Sequence, residues 1–149
     1  MNKLTKLVLA AVVCFGLAGC ITNSDGTKQI NSKVILVSEL ASYNGATLFL
    51  DKNPLSRPKF EKAIEELNVL LDKGVTVEGI TAVVKGLPIK ELESPEGKLI
   101  INNAIIIFGI FSDDIVTLPA LEKAKLLAPV ASAIRDGLQR ALDDTVPAK

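Results

Sequence analysis

The sequence predicts an all-α protein: a small helical bundle of four to five helices, preceded by a cleaved signal peptide and a flexible tether. Three observations point there. Apolar residues recur at three- and four-residue steps from Phe60 to Leu71. A capping residue followed closely by proline repeats along the chain, at Ser56/Pro58, Ser94-Pro95 and Thr117/Pro119. A long aliphatic stripe then runs from Leu121 to Leu142. The boundaries read as 1–19 for the signal, 20–32 for the tether and 33–149 for one helical domain.

The front end carries Lys3 and Lys6 before an apolar run, Leu7 to Gly16. That run is far shorter than the roughly 20 apolar residues a permanent membrane span needs, and it fits the apolar region of a secretory signal. Leu17-Ala18-Gly19 supplies small residues where a peptidase approaches the backbone, and Cys20 follows. Leu17-Ala18-Gly19-Cys20 resembles the lipobox of bacterial lipoproteins. The resemblance implies that the Cys20 thiol takes a diacylglyceryl group and that cleavage falls between Gly19 and Cys20. The new amine is then acylated, with palmitate the expected chain. A thiolate is the side chain best suited to selective alkylation, and two or more chains at ~0.8 kcal/mol per buried CH₂ anchor a protein stably where one does not. An ordinary cleaved signal and an uncleaved anchor helix are the alternatives. Ile21 stands where Gram-negative lipoproteins retained in the inner membrane tend to have Asp. The resemblance therefore implies the outer membrane if the source is Gram-negative. Cys14 lies inside the apolar run and leaves with it.

Residues 21–32 are small and polar without an apolar period, as a tether would be. Residues 33–51 crowd apolar side chains, which suits a helix weakened near Asn44-Gly45 but also a strand, given the β-branched opening. Gly45 is a candidate for close packing against a neighbouring helix. Asn53-Pro54 breaks the segment. The next helix has Ser56 as N-cap, Pro58 in its first turn, and Leu55 with Phe60 as a hydrophobic staple. Phe60, Ala63, Ile64, Leu67, Leu70 and Leu71 form its buried stripe, and Gly74 ends it. Thr76 caps a shorter helix whose stripe is Ile80, Val83, Val84 and Leu87, closed by Gly86 and Pro88. One turn follows at Ile89-Lys90-Glu91-Leu92.

Residues 98–111, KLIINNAIIIFGIF, are apolar nearly all round. Their length and the two asparagines favour the central helix of a bundle. A buried strand and a membrane-inserting segment are the alternatives. Asp113-Asp114 then reads as a polar turn. The last helix runs from Thr117-Leu118-Pro119 to about Asp143. Pro129 within it predicts a kink or a break into two helices.

The chain carries 17 basic and 17 acidic residues. Removing Lys3 and Lys6 with the signal leaves a net charge of about −2, which offers nucleic acid no basic footprint. There is no histidine, so no imidazole base and no typical zinc site; once Cys20 is lipidated no free thiol remains. No catalytic residue, metal site or cofactor is expected. Ser56-Arg57-Pro58-Lys59 matches the S-x-x-K pattern of penicillin-binding proteins and β-lactamases. The S-D-N and K-T-G elements are missing, however, and helix capping explains the stretch. Glu65-Glu66 and Glu91/Glu93 are the candidate carboxylate pairs, with solvated helix faces as the default. Tyr43, the single tyrosine, suits packing with its hydroxyl at an edge.

These observations favour a non-enzymatic, lipid-anchored envelope protein. Its partners would be the bilayer, through acylated Cys20, and an envelope protein. Asn53-Pro54 and Arg57-Pro58-x-Phe60 at a helix junction faintly resemble uncharacterised phage and prophage helical proteins. That resemblance implies a host-surface, exclusion-type lipoprotein and no residue role. A small enzyme using Glu65, Glu66, Asp113 and Asp114 is the third reading.

Overall fold

The computed structural model describes residues 20–88 and 118–145. Among the described residues the chain is mostly helical. Strands β1 (Cys20–Thr22) and β2 (Lys28–Ile30) come first. Four α-helices follow: α1 (Ser32–Lys52), α2 (Arg57–Lys73), α3 (Val77–Gly86) and α4 (Ala120–Asp144). The all-α class therefore holds for these residues, with one small hairpin added. The turn expected at 89–92, the apolar segment 98–111 and Asp113-Asp114 lie outside the described residues, as does the expected signal at 1–19.

The segment expected to be an aperiodic tether is paired. Strands β1 and β2 run antiparallel with Cys20 opposite Ile30, Ile21 opposite Gln29 and Thr22 opposite Lys28. Asn23-Ser24-Asp25-Gly26-Thr27 makes the turn. The Gly26 N–H donates to the Asn23 carbonyl at 3.0 Å and the Asn23 N–H donates to the Thr27 carbonyl at 2.8 Å. Gly26 sits at φ +82°, the left-handed conformation a side chain would resist. Two strands alone are marginal in water. This pair is held because β2 packs on α4 and Ile30 enters the core at 8% exposure.

Asn31 starts α1, its side chain accepting from the Lys33 N–H at 3.0 Å. The helix runs unbroken through Asn44-Gly45, so the strand alternative for 33–51 is set aside. Its N–H groups are satisfied within the helix, and tertiary packing overrides the weak propensity of that pair. The apolar crowding that blurred the period has a structural cause. One side of α1 is buried, through Val34, Ala46, Phe49 and Leu50, while Leu36, Leu40 and Leu48 stand exposed on another.

The entry to α2 differs from expectation. A 3₁₀ turn, Pro54–Ser56, runs straight into the helix, so Ser56 already has near-helical backbone (φ −83°, ψ −3°) and its side chain makes no capping bond. An N-cap side chain needs the extended conformation to reach back to the first turn. Leu55 is 87% exposed, so the staple to Phe60 does not form. Phe60 instead lies against Phe49 of α1, ring centroids 5.9 Å apart and tilted by 46°. Gly74 closes α2 as the sequence predicts, its N–H donating to the Leu70 carbonyl. Thr76 caps α3 as predicted, accepting from the Gly79 N–H at 3.0 Å.

The longest helix among the described residues, α4, continues through Pro129 instead of dividing in two. Proline forfeits one hydrogen bond, to the carbonyl one turn back at Lys125. Both residues are exposed, so water can take that carbonyl. The core lies where α1, α2 and α4 meet, with Leu67, Leu127, Val130 and Leu138 fully buried and Ile80 of α3 closing one side.

The most extensive helix contact is α1 on α4. It is close because small residues face each other: Ser38 and Ala46 on α1, and Ala133, Gly137 and Ala141 on α4, are all buried. At Gly137 the helices nearly touch. A Cβ there would fall on the Glu39 carbonyl oxygen and come within 3.0 Å of both Ser42 Cβ and the Tyr43 nitrogen. The obstacle is backbone, which cannot swing aside. Alanine in a helix interior normally stabilises by up to about 1 kcal/mol over glycine, but overpacking of this kind costs about 1–3 kcal/mol. Gly137→Ala should therefore lower the chemical-denaturation midpoint. Gly86→Ala, with nothing within 4 Å of the added methyl, should leave it unchanged or raise it.

Candidate functional site

Two places gather functional side chains among the described residues: the C-terminal end of α4, and a groove beside the hairpin.

At the first, helix ends leave carbonyl groups without partners and a partial negative charge. Here Arg57, from the first turn of α2, reaches across. Its Nη1 donates to the Leu142 carbonyl at 2.9 Å and to the Thr145 carbonyl at 3.3 Å. Its Nε lies 3.3 Å from Glu61 Oε1 on the same helix. Thr145 is buried, and its hydroxyl donates to the Ala141 carbonyl at 2.7 Å. The Ser56-Arg57-Pro58-Lys59 stretch thus places its arginine as a clamp on α4, while Lys59 stands exposed. The S-x-x-K pattern points to Ser56 and Lys59 and gives Arg57 no role, because the carbonyls Arg57 meets lie 85 and 88 residues away.

Tyr43 adds a second tie at the same end. Its hydroxyl donates to Asp144 Oδ2 at 2.9 Å, and the Arg140 guanidinium lies 4.7 Å from its ring centroid. Arg140 Nε is 3.8 Å from the same Asp144 oxygen. The bond to Asp144 holds the phenol above its ordinary pKa, with desolvation and the carboxylate charge adding to it and Arg140 acting against.

The expected carboxylate pairs do not assemble a site among the described residues. Glu65 and Glu66 are both exposed on α2, and Glu66 pairs with Lys62 at 3.7 Å, a surface contact of small energetic weight. Glu91, Glu93, Asp113 and Asp114 lie outside the described residues. Among the described residues no group of three or more His, Cys, Asp or Glu gathers to hold a metal ion, and no helix is long and apolar enough to cross a membrane.

The groove lies between the hairpin, the start of α1 and the N-terminal half of α4. It encloses about 680 Å³. Ile30, Ile35, Leu118, Leu126 and Pro129 give it an apolar lining, and Asp25, Lys28, Glu122 and Lys125 give it two charges of each sign. The turn at its edge is fixed by side chains. Asp25 Oδ1 accepts from the Thr27 hydroxyl at 2.6 Å and from the Thr27 N–H at 2.9 Å. Asn23 Nδ2 donates to the Thr27 hydroxyl oxygen at 3.0 Å. The Thr27 hydroxyl, then its N–H, hold the Asp25 carboxyl below the usual carboxylate range. The signal that could have found this turn was Asp25-Gly26, a strong short-range hairpin marker. Cys20, the predicted lipidation residue, is the first described residue and begins β1.

Family models, curated proteins and solved structures offer no match to this chain. Any functional reading rests on its own residues.

Two predictions follow from the α4 end. Arg57→Ala strips charge-assisted bonds from half-buried carbonyls and should cost about 1–3 kcal/mol in urea denaturation, whereas exposed Lys59→Ala should stay within about 0.5 kcal/mol. For Tyr43 the folded phenol is raised, so its contribution is full below the unfolded pKa near 10 and is lost as pH rises through the folded value. The wild-type protein should melt above Tyr43→Phe at about pH 8, and that advantage should shrink as pH rises above about 10.

Proposed function

We propose that this chain is a lipid-anchored envelope protein that works by contact and not by catalysis. The observation that carries the reading is the order of elements before Cys20: Lys3 and Lys6, the short apolar run, and Leu17-Ala18-Gly19-Cys20. On this reading the signal, 1–19, is removed and the Cys20 thiol and amine take acyl chains. The remainder forms a bundle of four to five helices beside the bilayer. Ile21 favours the outer membrane for a Gram-negative source.

The contact reading is supported by residue chemistry. The chain has no histidine, and its only thiol beyond the signal is the one the lipid would occupy. The described surface also exposes Leu36, Leu40 and Leu48 along α1, apolar side chains that suit a protein partner in the envelope.

The reading is tested by expressing the full chain in a bacterium with labelled palmitate. The wild-type protein should incorporate label, lose about 2 kDa of signal on processing and fractionate with membranes. Cys20→Ser should take no label and remain uncleaved. Label on the serine variant, or cleavage unchanged by it, overturns the lipoprotein assignment.

A further inference from the structure

The sequence reading gives the body a free spacer of a dozen residues, and such a chain would wander about 17–21 Å from its anchor point. The hairpin removes that freedom. Cys20 pairs with Ile30 across the ladder, and Ile30 is a core residue at 8% exposure. Paired residues lie about 5 Å apart. The anchor residue's backbone is therefore one cross-strand step from the hydrophobic core. The turn between the strands is locked by five hydrogen bonds among Asn23, Asp25, Gly26 and Thr27.

We propose that the hairpin is a rigid mount that seats the groove end of the domain on the bilayer surface. The inference rests on Cys20 carrying the lipid. Beside Leu36 at the start of α1, two more exposed apolar side chains stand at this end: Ile21, 46% exposed on β1, and Leu121, 68% exposed and one turn before the groove residue Lys125 on α4. Both are placed to enter the headgroup boundary. The charges lining the groove cancel, with Asp25 and Glu122 against Lys28 and Lys125. The contact is thus apolar and indifferent to lipid charge. Leu55 marks the opposite end. It lies beyond the far terminus of α1, a helix of 21 residues and so about 30 Å long.

The test uses the full lipidated protein in phosphatidylcholine vesicles containing lipids brominated along their acyl chains. With Cys14 gone and Cys20 blocked, a cysteine introduced by Leu121→Cys or Leu55→Cys is the single site for a thiol-reactive fluorophore. Both positions are exposed, so neither change disturbs the core. Quenching should be several-fold stronger at 121 than at 55, and unchanged between about 0.1 and 1 M salt. A ten-residue Gly/Ser insertion between Cys20 and Ile21 should bring the 121 signal down to the 55 level while the protein stays on the vesicles. Equal quenching at the two positions in a vesicle-bound protein overturns the mount and leaves the anchor intact, as does a 121 signal that survives the insertion. Protein that does not stay with the vesicles overturns the anchor itself, and the mount with it.

Discussion

The described fold depends on one close approach, the crossing of α1 and α4 at Gly137. A helix carrying a side chain at that position could not bring its axis so near the Glu39 carbonyl. The small faces on either side, Ser38 and Ala46 against Ala133 and Ala141, extend the contact in both directions. Close packing of this kind replaces bulk with van der Waals contact over much of two long helices. It also sets where everything else can sit. With α4 fixed on α1, Phe60 of α2 meets Phe49, and Leu67 meets the remaining apolar face.

The crossing also explains why the polar ties collect at one end. Fixing α4 at Gly137 carries its last two turns past Tyr43 on one side and the start of α2 on the other. At that end Arg57 answers the Leu142 and Thr145 carbonyls, and the Thr145 hydroxyl adds a second donor to the Ala141 carbonyl. Asp144 sits where a negative charge opposes the helix dipole. Tyr43 and Arg140 hold that carboxylate instead of leaving it to solvent alone. The interior is apolar, with Phe49 and Phe60 among its aliphatic side chains, and these hydrogen bonds lie at its rim.

The other end of the molecule is organised differently. There the hairpin takes the place of long side chains, and Ile30 reaches the core. Pro129, exposed where the helix has given up a hydrogen bond, lines the groove between hairpin and α4. One end is thus closed by charge and hydrogen bonds. The groove at the end bearing Cys20 is lined by apolar side chains with charges that balance.

The sequence alone determined the local elements whose causes are local. The Phe60–Leu71 stripe, the Thr76 cap and the Gly74 stop depend on residues within a turn or two, and each stands where the pattern puts it. The proposed processing signal likewise rests on consecutive residues, Leu17-Ala18-Gly19-Cys20. Tertiary structure decided what depends on distant partners. Pro54 and the packing of Phe60 on Phe49 turned Ser56 from a cap into part of a 3₁₀ turn, and left Leu55 in solvent. The hairpin had a local marker in Asp25-Gly26, yet its stability comes from α4, about a hundred residues away. Gly137 reads as an ordinary weak helix residue until α1 is laid against it, because a missing side chain has no pattern of its own. Its meaning lies in the backbone that occupies the space.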